Sequence, residues 1–114
     1  MKIRVFVAGG TGWAGSELCK GIVSNKNMEL VGALSQKNSG KNLANILKLG
    51  SGNIPVFGDI ATALEEIDFD VLVEYTKPGI AKTTIIVALK KGKMVVVGTS
   101  GLTLVAMWPD KNSS

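Results

Sequence analysis

The sequence predicts an α/β fold, a doubly wound parallel sheet of about five strands with helices on both faces, and three observations predict it. Short β-branched runs alternate with amphipathic stretches along nearly the whole chain, the pattern of successive βα units. No Pro/Gly/Ser-rich linker, internal repeat or low-complexity segment interrupts that alternation, so a single domain is expected. The first apolar run also ends in a cluster of glycines that opens directly into an amphipathic stretch, the strand–turn–helix start of such domains. A chain of 114 residues has room for one such domain, large enough to bury about two-thirds of the unfolded surface.

Ile3-Arg4-Val5-Phe6-Val7-Ala8 reads as the first strand. Gly9-Gly10-Thr11-Gly12-Trp13-Ala14-Gly15 follows at once and satisfies two registers: Gly10, Gly12 and Gly15 make G-x-G-x-x-G, while Gly9, Gly12 and Gly15 make G-x-x-G-x-x-G. Both are dinucleotide-binding spacings of a Rossmann-like domain. Without Cβ atoms the backbone can turn tightly, admit a pyrophosphate and pack the new helix on its strand. The helix N-terminus then offers unpaired N–H groups and a positive dipole end to the phosphates. That helix is expected over residues 12–24, with Ala14, Leu18, Cys19, Ile22 and Val23 as its apolar face. Cys19 is therefore a core thiol rather than a nucleophile, and as the single cysteine it excludes an intrachain disulfide.

A second strand over residues 28–34 completes a right-handed βαβ unit. Just past it lies Ser35-Gln36-Lys37-Asn38-Ser39-Gly40-Lys41, where dinucleotide sites read the adenosine ribose. A site that prefers NAD places an Asp or Glu there, and this chain has neither. Ser35 and Gln36 stand at those positions with Lys37 and Lys41 behind them, which removes the repulsion against a ribose phosphate and supplies cations to pair with it. NADPH is the expected cofactor, with NADH also possible.

Residues 42–49 form a short helical pattern, and Ile54-Pro55-Val56-Phe57 a short strand whose proline suits a sheet edge. Asp59 is placed to cap a helix over residues 60–67. Val71-Leu72-Val73-Glu74-Tyr75 reads as a central strand buried on both faces, and Thr76-Lys77-Pro78-Gly79 leads from it into a helix over residues 80–91. Lys90, Lys91 and Lys93 gather where cations complement that helix's dipole. Met94-Val95-Val96-Val97 delivers Gly98-Thr99-Ser100-Gly101 as the last strand. In a parallel sheet the loops at 9–15, 35–41, 75–79 and 98–101 converge on one edge and describe a cleft.

Composition narrows the function. The net charge is +4, but the lysines are scattered and aromatics make up 5% of residues, so neither a basic stripe nor a stacking platform for nucleic acid is expected. With no histidine, the commonest general acid/base and metal ligand is missing, and no metal site is expected. No run suits a transmembrane helix and the first residues do not read as a signal peptide, so the expected location is the cytoplasm.

Three stretches together resemble the cofactor-binding domain of the dihydrodipicolinate reductase family of lysine and diaminopimelate biosynthesis. They are Val7-Ala8-Gly9-Gly10-Thr11-Gly12-Trp13-Ala14-Gly15, Asp70-Val71-Leu72-Val73-Glu74-Tyr75-Thr76-Lys77-Pro78 and Val96-Val97-Gly98-Thr99-Ser100-Gly101-Leu102-Thr103. The resemblance covers residues 1–103 and implies an oxidoreductase that passes hydride from NAD(P)H to a cyclic imine. It implies that Gly9, Gly10, Thr11, Gly12, Trp13 and Ala14 hold the pyrophosphate and that Ser35 and Gln36 read the ribose. By the same resemblance Tyr75 and Thr76 flank the cofactor, while Gly98, Thr99 and Ser100 approach the nicotinamide. Family members often carry Arg-Met at Trp13-Ala14, and often an acid followed by Arg at Ser35-Gln36, which leaves the cofactor preference open.

The family continues into a substrate domain with a His-His-x-x-Lys motif and a Pro-Ser-Gly-Thr turn, and nothing in this sequence matches either. Residues 104–114 are expected to stand outside the domain, as the tail of a truncated or frameshifted product or of an excised domain. No catalytic residue is assigned. One reading is the nucleotide-binding half of a reductase, completed by its substrate domain; the other is a stand-alone nucleotide-binding module without chemistry. In either, the surface that would meet a second domain lies open to weak self-association.

Overall fold

The computed structural model describes residues 2–9, 13–50, 52–75, 78–98 and 104–107. β1 (Ile3–Ala8) leads to α1 (Trp13–Ser24) and β2 (Met28–Leu34), then to α2 (Leu43–Ile46) and β3 (Val56–Phe57). α3 (Ile60–Glu66), β4 (Val71–Glu74), α4 (Pro78–Lys90), β5 (Met94–Gly98) and β6 (Leu104–Met107) complete the order. The strands lie as β3-β2-β1-β4-β5-β6. The first five are parallel, as the βα alternation predicts. β6 runs antiparallel to β5, pairing Gly98 with Leu104 and Val95 with Met107, so the sheet takes in four residues that the sequence reading sets outside it.

Period-two alternation along β1 sorts the core into two layers. Val5 and Val7 pack with Cys19 and Ile22 of α1 and Leu43 of α2. Phe6 and Ala8 face the other way and pack with Ile60 and Ala63 of α3 and Ala88 of α4. The sheet is thus wound on both faces, with β1 and β4 at its centre. Val23, expected on the inward face of α1, is 44% exposed. At 3.6 residues per turn it falls on the margin of the face that the buried Gly15, Cys19 and Ile22 define.

Gly32 has a packing role that its sequence context did not reveal. Val5 pairs with Leu30 but Phe6 with Gly32, so Val31 is an extra residue in β2 that bulges the strand. A Cβ at Gly32 would lie 2.8 Å from Ile67 Cδ1 and 3.0 Å from the Phe6 ring. That ring stacks on Phe69 at 5.0 Å and tilts against Phe57 at 6.2 Å. Gly32→Val should therefore overpack this layer and cost about 1–3 kcal/mol in urea unfolding. Gly21→Ala, on an open face of α1 with nothing within 4 Å, should stabilise by about 0.5–1 kcal/mol. An unmoved midpoint for Gly32→Val would mean that the ring does not sit over the bulge.

Charges staple the amino ends of the strands, opposite the expected cleft. Arg4 Nη2 lies 2.9 Å from Asp68 Oδ2 and 3.4 Å from Asp70 Oδ1, and the Arg4 N–H donates to Asp70 Oδ2 at 2.9 Å. Lys93, rather than serving the end of α4, reaches Asp68 Oδ1 at 2.9 Å and lies 5.3 Å over the Phe69 ring. The Lys93 hydrogen bond chiefly holds Asp68 below the usual carboxylate range, and the Arg4 backbone N–H does the same for Asp70. Asp59 caps α3 as expected, accepting from Thr62 N at 2.8 Å, and that bond lowers its pKa too. Carboxylates depressed by folding stabilise the native state above their unfolded pKa near 4 and lose that contribution as pH falls through the lower folded values. The urea midpoint should accordingly hold from pH 7 to about 5 and drop below about 4, with a shallower acid limb in Asp68→Asn.

Candidate functional site

Parallel pairing brings four strand ends level. Ala8 of β1 registers with Leu34 of β2 and with Glu74 of β4, and Glu74 registers with Val97 of β5. Gly9, Ser35, Tyr75 and Gly98 therefore emerge side by side at one edge. The main chain ties them there: Gly9 N–H donates to Leu34 O at 3.1 Å, and Tyr75 N–H to Ala8 O at 2.9 Å. Ser35 N–H donates to Phe57 O at 2.9 Å. The chain then enters α1 at Trp13, so the amino end of a twelve-residue helix opens on the same edge.

Tyr75 is the centre of this edge. Gly9 takes φ +89°, and a Cβ there would stand 3.1 Å from both the carbonyl carbon and oxygen of Tyr75. A Cβ at Gly98 would collide with Cε1 and Cζ of the Tyr75 ring and lie 2.8 Å from Cδ1. The half-buried tyrosine is thus held between two bare backbones, its ring filling the space that a side chain at residue 98 would need. These contacts account for glycine at residues 9 and 98 by the close packing of Tyr75 against both. Of the other expected site residues, Trp13, Ala14 and Gly15 form the start of α1. Gly10, Thr11, Gly12, Thr76, Thr99 and Ser100 lie outside the described residues.

On the second strand's loop, Ser35 is half-buried and Gln36 and Lys37 are exposed. Asn38 Nδ2 donates to Ser35 Oγ at 3.4 Å across Gln36 and Lys37, and Lys41 N–H donates to Asn38 O at 3.1 Å, closing a turn over residues 38–41. Lys41, the other lysine considered for a ribose phosphate, lines a groove of about 430 Å³ beside β3 together with Asp59, Thr62 and Glu66. This end of the sheet offers an α-helical amino terminus, Gly9 at a positive φ, and a polar loop that carries lysines and no carboxylate.

Glu74, in the run expected to be buried on both faces, is 1% exposed at the end of β4 on the α4 side of the sheet, although no site role is assigned to it. Burial pushes the Cys19 thiol up to about 12, as an inert core cysteine requires. Among the described residues no cluster of three His, Cys, Asp or Glu could hold a metal ion, and no helix is long and apolar enough to cross a membrane.

The family model described as dihydrodipicolinate reductase, N-terminus, matches residues 3–107. That match extends through β6. A 4-hydroxy-tetrahydrodipicolinate reductase of Listeria monocytogenes is 36% identical over 101 residues, covering 89% of this chain and 38% of the relative. The enzyme of that name from Bacillus cereus is 31% identical over 102 residues, covering 90% and 38%. The solved structure of a dipicolinate-bound dihydrodipicolinate reductase from Paenisporosarcina sp. TG-14 superposes with a TM-score of 0.72 at 31% identity, over 90% of this chain and 39% of that one. The chain thus spans a little over a third of the length of these relatives. By the family match over residues 3–107 and relatives above 30% identity, the chain belongs to the dihydrodipicolinate reductase family, as its nucleotide-binding N-terminal domain.

Proposed function

We propose that this chain binds NADPH, and NADH no more tightly, as the cofactor half of a cytoplasmic reductase acting in lysine and diaminopimelate biosynthesis. The level strand ends at Gly9, Ser35, Tyr75 and Gly98, set beside the amino end of α1, carry the reading. Gly9, Gly10, Thr11, Gly12, Trp13, Ala14 and Gly15 would hold the pyrophosphate by backbone N–H groups and the helix dipole. Ser35, Gln36 and Lys37 would meet the ribose phosphate, while Tyr75, Thr76, Gly98, Thr99 and Ser100 would border the nicotinamide half. Bound NADPH supplies a hydride; this chain's residues bind and orient it, and transfer to a cyclic imine requires a substrate domain.

Titration of the chain with NADPH and NADH tests this directly. Gly12→Val should abolish binding of both by placing a side chain where the phosphates approach, with the fold retained by circular dichroism. The wild-type advantage of NADPH should shrink as salt rises, since its extra contact is ionic. Equal affinity in wild type and Gly12→Val, or a salt-independent preference for NADH, would reject the assignment.

A further inference from the structure

The loop that carries Ser35, Gln36 and Lys37 is held along its length by an edge strand. Ser35 N–H donates to Phe57 O at 2.9 Å, Gly40 N–H to Val56 O at 2.8 Å, and Val56 N–H to Lys41 O at 3.1 Å. Leu43 N–H donates to Ile54 O at 2.8 Å, and Asn42 bridges Pro55. Gly58 lies so close beneath the loop that a Cβ there would come 3.1 Å from Ser39 Oγ. Within this frame Asn38 is the internal tie: its carbonyl accepts from Lys41 N–H at 3.1 Å while its side-chain amide donates to Ser35 Oγ at 3.4 Å. Asn38 is half-buried, whereas Gln36 and Lys37 are exposed.

We propose that Asn38 is a positioning residue for cofactor discrimination, acting through the Ser35 hydroxyl. The inference rests on the dinucleotide reading above. NADPH and NADH differ only in the phosphate on the adenosine ribose, and the groups placed to meet that phosphate all belong to this loop. Contacts to the shared pyrophosphate belong to the glycine turn. A loop held in one shape by Asn38 and β3 meets the phosphate without an ordering cost, so loosening it weakens NADPH selectively. Loss of one such tie corresponds to about a two- to tenfold change in affinity.

The test is a double-mutant cycle on the 114-residue chain, with Asn38→Ala, Ser35→Ala and the pair titrated with NADPH and with NADH. Asn38→Ala should lower the NADPH-to-NADH affinity ratio by about two- to tenfold, leave NADH affinity in place, and change the ratio no further in the Ser35→Ala background. Asn38→Asp serves as a second variant of the same size. A carboxylate cannot donate to Ser35 Oγ and sets a negative charge beside the phosphate, so the ratio should fall further. An unchanged ratio, equal weakening of both cofactors, or independent effects at Ser35 and Asn38 would overturn the proposal. If the unmodified chain binds neither cofactor, the dinucleotide reading itself fails, an outcome distinct from binding with an unaltered ratio.

Discussion

Gly9→Val should destabilise the chain by about 2–5 kcal/mol and take cofactor binding with it, whereas Gly98→Ala should keep most of the stability and lose the binding. At Gly9 two costs add. A φ of +89° is a conformation that side chains disfavour by about 1–3 kcal/mol, and the new Cβ meets the main chain of Tyr75, which β1 fixes through the Tyr75 N–H to Ala8 O bond of 2.9 Å. Backbone on backbone cannot give way cheaply. At Gly98 the obstacle is the far end of a half-buried side chain, so the Tyr75 ring can swing aside toward the proposed nicotinamide region. Against a total stability of about 5–15 kcal/mol, the first change should be plain in urea unfolding. The second should be plain in NADPH titration. If Gly9→Val unfolds at the wild-type midpoint, the close approach of Gly9 to Tyr75 is wrong; if Gly98→Ala binds as wild type does, the ring is not a wall of the site.

What could be read in the sequence was whatever local periodicity and turn chemistry encode. The run Ile3 to Ala8, the glycines after it and the spacing of Cys19 and Ile22 locate β1, the turn and α1 without tertiary information. The same holds for Asp59 as the cap of α3 and Pro55 beside the edge strand. Contacts between distant residues were not legible. Gly32 in isolation reads as a weak strand position, and only the Phe6–Phe69 stack and the bulge at Val31 explain it. Lys93 reads as a helix-terminal cation until Asp68, 25 residues earlier, is seen beside it. β6 escaped because Gly98-Thr99-Ser100-Gly101 reads as part of the cleft rather than as a reversal, and the pairing of residues 104–107 with β5 is a tertiary choice. For the site, the sequence placed Gly9, Ser35, Tyr75 and Gly98 at strand ends, and sheet order makes them neighbours. It could not show that Lys41 lines a groove beside β3, because that depends on the pairing of residues 40–43 with residues 54–56.

The 114-residue chain should bind NADPH and oxidise none of it when offered enzymatically generated dihydrodipicolinate. Hydride transfer demands that the acceptor be held against the nicotinamide in a reactive orientation, a contribution that reaches about 7–11 kcal/mol of the barrier. The chain spans 38% of the length of its Listeria relative, and the ends of β1, β2, β4 and β5 are proposed to meet the cofactor. A proton donor is needed as well, and general acid help is typically worth roughly a hundred- to ten-thousandfold. The chain has no histidine, and its one thiol, Cys19, sits in the core with a pKa pushed up to about 12. Lys77, Thr99 and Ser100, assigned to the cleft loops, lie outside the described residues, and the two hydroxyls are poor acids at neutral pH. Binding and catalysis should therefore separate in this polypeptide: NADPH fluorescence should titrate, while absorbance at the reduced-nicotinamide band should stay flat beside a full-length reductase that consumes it. Protein-dependent oxidation that vanishes in Gly12→Val would place catalytic groups within these residues and overturn the division of labour argued for them.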